Sequence, residues 1–321
     1  MKKLLAKAII GLTLASMLTA CGNSNDKQVK SKETAESPVE TSMEPEEEKE
    51  TEIVFVDREE PKVSDYDGPY YIRVNRQTNV VTVYALEGEG EESEIIRTMA
   101  CSTGLSSVDE DGDSNETPLG TFEIYERYEW RPLFGNVYGQ YAVRFNGHIL
   151  FHSVPYTSED KNTLKEGEYN KLGEPASLGC VRLSVADAKW IYDNCPNGTV
   201  VEVFESNFVS SAGKHLTIKI ADDCEYAGWD PTDPSEENPW IGKLPHLEGM
   251  KDIIVKQGSK VDMLGEVKGI DYEGTELPVE IETIIDTSEL GTYELIYSTT
   301  GSMGATVFER VKVTVVETIE E

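Results

Sequence analysis

The chain has 321 residues and a formal net charge of −31, with 60 acidic against 29 basic side chains. A field of that sign repels nucleic-acid phosphates and no basic stripe overcomes it, so no nucleic-acid partner is expected. The length admits two ordinary domains with a tail to spare, and with four histidines in the whole chain each one is informative.

Lys2 and Lys3 precede a mostly apolar run from Leu4 to Leu18, and small residues lead from it to Cys21. The run is short for a bilayer span; a basic head, an apolar middle and a small-residue end make residues 1–20 a signal peptide. The placement of Cys21 resembles a bacterial lipoprotein box, which implies that this cysteine is acylated and becomes the mature N-terminus. The location expected is then the outer face of the cytoplasmic membrane, or an outer membrane where the cell has one, with more than one lipid chain for stable attachment. Residues 21–65 read as a disordered acidic tether, with too little apolar surface to offset the entropy of ordering. Ile53-Val54-Phe55-Val56 near its end reads either as a docked segment or as a short strand.

A β-rich domain is expected over 66–206. Tyr71–Val74 and Val80–Tyr84 form a hairpin about Asn75–Asn79, followed by strands at Glu94–Ala100 and Gly120–Tyr125. Tyr141–Phe145 alternates apolar and polar residues into Asn146-Gly147, a tight-turn pair, and His148–His152 returns. Residues 157–176 are polar and read as a surface excursion over or beside a site. Ser184 with Asp187 resembles a capping box, and the mostly apolar segment from Val185 to Tyr192 predicts a short helix. Pro196-Asn197-Gly198 stops it and Thr199–Phe204 closes the domain as a strand. Residues 207–244 are a connector with an alternating stretch at Leu216–Ile220. Over 245–321, candidate strands at Asp252–Val255, Val279–Ile285, Thr292–Ser298 and Val307–Val316 suggest a small sandwich, with His246 a linker histidine at its entrance.

With Cys21 lipidated, Cys101, Cys180, Cys195 and Cys224 remain. Export permits disulfides, spacing does not assign them, and a Cys195–Cys224 pair or a buried Cys101 are both open. No CxxC pair supports structural zinc. The acidic stretch Asp109–Glu116 has its glycine fourth rather than sixth and lacks the bidentate glutamate of a calcium loop, so it reads as a solvated loop. No metal and no cofactor are expected.

The chemistry centres on Cys180 and His152. A thiol is a modest nucleophile until an imidazole or local positive potential favours its thiolate. Gly179 lets the backbone turn tightly before Cys180, Arg182 brings positive charge near it, and Ser153 follows the histidine. On these residues alone, a buried structural cysteine and a satisfied histidine read equally well.

Four segments in order resemble the L,D-transpeptidase (YkuD-like) catalytic domain of bacterial cell walls, over residues 69–205. They are Cys101-Ser102-Thr103-Gly104, Thr117-Pro118-Leu119-Gly120-Thr121-Phe122, His152-Ser153, and Ser177-Leu178-Gly179-Cys180-Val181-Arg182. Trp130-Arg131 and Gly139-Gln140-Tyr141 are similar to a subgroup common in Gram-positive bacteria. The resemblance implies a mainly β fold: an L,D-transpeptidase-type β-rich domain with a short helix after the catalytic cysteine. It implies acyl transfer from a peptidoglycan stem tetrapeptide, with D-alanine released and a thioester on Cys180 resolved by a neighbouring amine. In that reaction His152 is base and acid, Ser153 orients it through backbone as well as hydroxyl, and backbone N–H groups near Gly179 and Cys180 form an oxyanion hole. Tyr141, Tyr156 and Ser177 bind substrate, Arg182 either binds substrate oxygens or forms a salt bridge with a local acid, and a thiol probe labels Cys180 rapidly unless His152 is replaced by Ala. One position departs from the pattern: Leu178 stands where the family has a histidine, which leaves donor preference open. Two alternatives are an L,D-carboxypeptidase acting on the same stems and a non-catalytic wall-binding lipoprotein. The C-terminal region resembles bacterial immunoglobulin-like modules, implying a small immunoglobulin-like β-sandwich that acts as spacer or binds a wall polymer or protein.

Overall fold

The computed structural model describes residues 52–58, 64–87, 91–207 and 216–319. The signal peptide, Cys21 and the acidic stretch up to residue 51 lie outside the described residues. Among those described, no helix is long and apolar enough to cross a membrane.

The first strand, β1 (Ile53–Val56), is followed by β2 (Tyr70–Asn75), β3 (Val80–Glu87), β4 (Glu91–Ala100), β5 (Gly120–Glu123), β6 (Glu126–Leu133), β7 (Val137–Asn146) and β8 (Ile149–Ser153). Then come α1 (Glu166–Tyr169), β9 (Val181–Leu183), α2 (Val185–Asn194) and β10 (Val200–Phe204). These strands make two sheets, β4-β3-β2-β10-β5 and β6-β7-β8-β9. Period-two alternation puts Ile72, Val74, Val81, Val83, Phe151, Val181 and Val201 into one core that also takes Ala188 and Ile191 of α2. The expected capping box is present: the Ser184 hydroxyl oxygen accepts the Asp187 N–H, and the same hydroxyl donates to the Asp187 carboxylate.

Strand β6 is a finding that alternation did not predict. It carries Pro132, which cannot donate to a ladder, and it lies at the edge of its sheet, where a missing donor costs least. Its hairpin with β7 is central to the site below.

The connector is more structured than its composition suggests. Asp230 accepts the Val185 N–H at 2.8 Å and the Thr232 hydroxyl accepts the Ala186 N–H at 3.1 Å, so the connector satisfies the first orphan donors of α2. Trp240 and Ile220 of the connector share a core with Tyr156, Leu164, Tyr169, Leu172 and Val185. The excursion 157–176 therefore has a buried inner side. Asp230→Ala would leave a buried helix N–H unpaired, and a loss of about 2 kcal/mol in unfolding free energy is expected by denaturant titration.

The C-terminal region contains β11 (Lys219–Ile220), β12 (His246–Glu248), β13 (Asp252–Lys256), β14 (Lys268–Ile270), β15 (Glu276–Leu277), β16 (Glu280–Ile281), β17 (Gly291–Thr300) and β18 (Ala305–Val316). One sheet runs β1-β13-β18-β17-β16 with β11 on β18, and a smaller one runs β12-β14-β15. They surround Leu247, Ile253, Val255, Leu295, Tyr297 and Val313. The region expected as one strand over 279–285 keeps strand pairing at Glu280–Ile281. His246 is in a strand rather than a linker, with Glu248 at 3.0 Å. Residues 53–56 depart from the tether expected through residue 65: β1 pairs antiparallel with β13, Ile53 opposite Val255. The 66–206 domain is thus inserted between two strands of the C-terminal sheet. Cys101, Cys180, Cys195 and Cys224 are free thiols, so the Cys195–Cys224 pair does not form. In the acidic loop, Asp109 Oδ1 accepts the N–H groups of Asp111 and Asp113, which closes the loop on itself.

Candidate active site

Strands β8 and β9 run parallel, with Phe151 opposite Val181 and His152 opposite Arg182. Phe151 and Val181 face the core, so by alternation Leu150, His152, Cys180 and Arg182 share the other face. Two residues along and one strand across separate Cys180 from His152, roughly 8 Å between Cα atoms at ordinary strand spacing. Their side chains line one cavity of about 240 Å³. The sequence-distant pair is brought together by the register of two short strands.

Each partner is held by its neighbours. His152 Nδ1 lies 2.6 Å from the Ser153 carbonyl oxygen, which can only accept, so Nδ1 carries the proton and Nε2 keeps its lone pair. The ring lies against Gly139 of β7, where a Cβ would come 2.9 Å from Nδ1. The Ser153 hydroxyl does something else: it accepts the Gln140 N–H and donates to the Val154 carbonyl. Orientation of the base thus comes from the Ser153 backbone, and the expected hydroxyl contribution is corrected.

The nucleophile loop is built around Gly179, at φ +112°, where a side chain would also strike Ile149 Cδ1 at 2.8 Å. Thr117 of the Thr-Pro element donates to the Gly179 carbonyl at 2.9 Å. Ser177 lines the cavity, but its hydroxyl oxygen accepts the Gly179 N–H at 3.1 Å and its proton goes to the Cys180 carbonyl. Because the Gly179 N–H is committed to Ser177, the oxyanion role expected of it is corrected. Ser177 shapes the loop as well as lining the cavity.

Three further expectations change. Arg182 reaches the cavity, yet its guanidinium is paired with Glu168 of α1, which Lys171 also approaches at 2.7 Å. Burial pushes the Glu168 carboxyl up, and the bonds and charges of Lys171 and Arg182 outweigh it and hold it below the usual range. Tyr156 is fully buried in the core shared with the connector, its ring edge-on to Trp130, and does not wall the cavity. Tyr141, at φ +50°, packs on Tyr192 and Lys189, away from the cavity. Both tyrosines face packing partners instead of the cavity.

Burial sets the protonation of the pair. It pulls the His152 imidazole down to about 4; the Ser153 carbonyl opposes this and the Arg182 charge reinforces it. Burial pushes the Cys180 thiol up, against the Leu150 N–H and the charges of Arg182 and Arg144. Both shifts, the thiol up and the imidazole down, favour the neutral pair at rest, and labelling of Cys180 by a thiol probe is expected to accelerate as pH rises.

The depressed imidazole has a stability consequence. Above pH 6.5 neither folded nor unfolded chain protonates His152; as pH falls from 6.5 to about 4 the unfolded chain takes the proton first. Stability is lost across that window by about 3 kcal/mol. Asp230, pushed up to about 6 by burial, works in the opposite sense between 3.8 and 6. The difference in unfolding free energy between wild type and His152→Gln, followed from pH 7 to pH 4, isolates the histidine contribution.

Sequence reasoning missed the other wall, the β6–β7 hairpin, which brings Arg131, Leu133 and Phe134 to the cavity, together with Arg144 and His148. The Cys180 sulfur lies 3.8 Å from the His148 carbonyl. Leu178, 46% exposed, supplies an apolar rim where the family pattern has an imidazole.

Residues 69–203 match the family of L,D-transpeptidase catalytic domains, YkuD. A curated relative, "Putative L,D-transpeptidase YciB" of Bacillus subtilis (strain 168), is 43% identical over 119 residues, which are 35% of this chain and 57% of that protein. The chain thus spans little more than half of that relative's length. Among solved structures, an L,D-transpeptidase of Xylanimonas cellulosilytica DSM 15894 matches at 20% identity over 45% of this chain and 65% of its own, TM-score 0.32. One from Mycobacterium smegmatis matches at 21% over 42% and 58%, also with TM-score 0.32.

Proposed function

We propose that the chain is a peptidoglycan L,D-transpeptidase that carries the acyl group on Cys180. The supporting observation is the shared face of β8 and β9, which presents the Cys180 thiol and a His152 ring with its basic nitrogen unprotonated to one cavity. As the donor stem binds, His152 Nε2 takes the thiol proton and the sulfur attacks the carbonyl of the third stem residue. The backbone N–H of Cys180 donates to the developing oxyanion. Nε2 returns the proton to the departing D-alanine, and an amine of a second stem then displaces the thioester. Lipid on Cys21 would hold the protein at the outer face of the cytoplasmic membrane, with the C-terminal β domain, in our reading immunoglobulin-like, as spacer.

Incubation with a tetrapeptide donor and product analysis tests the reading. Stem-to-stem dimer with free D-alanine supports it; tripeptide without dimer makes the protein a carboxypeptidase, and no product at all removes the enzymatic account.

A further inference from the structure

In a chain of net charge −31, the cavity is lined by Arg131, Arg144 and Arg182 and by no carboxylate. Two of these arginines are already engaged: Arg182 with Glu168, and Arg144 with Glu126 at 2.8 Å. Glu126 Oε2 also accepts the Tyr128 hydroxyl, so one oxygen serves both neighbours. Arg131 has no ion-pair partner among the described residues. Its guanidinium instead lies over the Tyr128 ring at 4.7 Å, with that of Arg144 5.9 Å from the same ring. A ring face holds a guanidinium in place while leaving the N–H fork open to a planar anion.

Register fixes where the fork points. Arg131 on β6 is directly opposite Gly139 on β7, and cross-strand partners share a face. Gly139 is the residue whose missing side chain makes room for the His152 ring. Arg131 therefore projects on the face that carries the base, from an edge strand that leaves it access to the cavity.

We infer that Arg131 is the carboxylate-recognising residue of this site, so that the protein selects donor peptides with a free carboxylate over their carboxamides. The inference rests on the stem-peptide reading above and moves anion recognition from Arg182 to Arg131. The free carboxylate has more than one source in a stem peptide, the C-terminus of the leaving residue and the side chain of the third residue among them.

The test uses the full protein and tetrapeptide donors in which each free carboxylate in turn is replaced by carboxamide. One replacement is expected to raise KM about tenfold for wild type, with kcat changed less than threefold. Arg131→Gln should show that raised KM with the all-acid donor and no further penalty for the same carboxamide. Arg131→Lys should fall between, keeping the charge but losing the fork. Equal KM values for all donors in wild type, or a carboxamide penalty that persists in Arg131→Gln, would overturn the assignment. Should no donor be turned over, the transpeptidase reading fails separately; calorimetric binding of the same peptides to Cys180→Ala and to Cys180→Ala with Arg131→Gln then decides the carboxylate preference by the same ratios.

Discussion

Gly139→Ala is expected to lower turnover of a stem tetrapeptide about 100-fold, although residue 139 bears no reactive group. A methyl at this position would stand 2.9 Å from His152 Nδ1 and 3.1 Å from its Cβ and Cγ, all inside contact distance. The ring has to move, and the bond from Nδ1 to the Ser153 carbonyl goes with it. Without that bond the proton is no longer confined to Nδ1 and Nε2 is no longer the guaranteed base. Overpacking of a buried strand costs about 1–3 kcal/mol, so a folded protein should survive for assay. Steady-state kinetics beside a denaturant curve separates the two effects. Wild-type kcat in a folded Gly139→Ala protein would show that the ring is not held by this contact.

His152→Ala is expected to cost about 10³-fold in turnover, within the usual range for loss of a general base. Burial pushes the Cys180 thiol up, so a base beside it is what favours the thiolate. Raising the pH should recover part of the lost rate in the variant, because hydroxide then deprotonates the sulfur that the imidazole no longer serves. Ser153→Ala is the informative contrast. Its hydroxyl bonds to Gln140 and Val154 while its carbonyl holds the base, so activity should stay within a few-fold and stability fall by about 1 kcal/mol. A Ser153→Ala loss as large as that of His152→Ala would assign the hydroxyl a part in catalysis.

What the sequence made legible follows local periodicity. Strands β2, β3, β7 and β8 and the capped helix α2 alternate or cap in ways that need no tertiary information, and each stands near its expected place. The Cys180–His152 pairing was legible through ordered motifs, and the register of β8 on β9 supplies its physical reason. The rest depended on contacts between distant segments. Strand β6 carries a proline that marks an edge only once its neighbours are known. Residues 53–56 read equally as a docked segment or a short strand until β13, two hundred residues on, offers them a partner. Tyr141 and Tyr156 are aromatic residues close in sequence to the site, yet they face Tyr192 and Trp130 rather than the cavity. The commitments of Arg182 to Glu168 and of the Gly179 N–H to Ser177 are likewise invisible to spacing.

The central claim is that the Cys180 sulfur becomes the acyl carrier. Intact-mass analysis of the protein mixed with a tetrapeptide donor, followed by peptide mapping, addresses it directly. An adduct equal to the donor less D-alanine, confined to the peptide containing Cys180 and absent from Cys180→Ala, is the result predicted. Cross-linked product formed by Cys180→Ala at the wild-type rate, or an adduct mapped to another residue, would contradict the account.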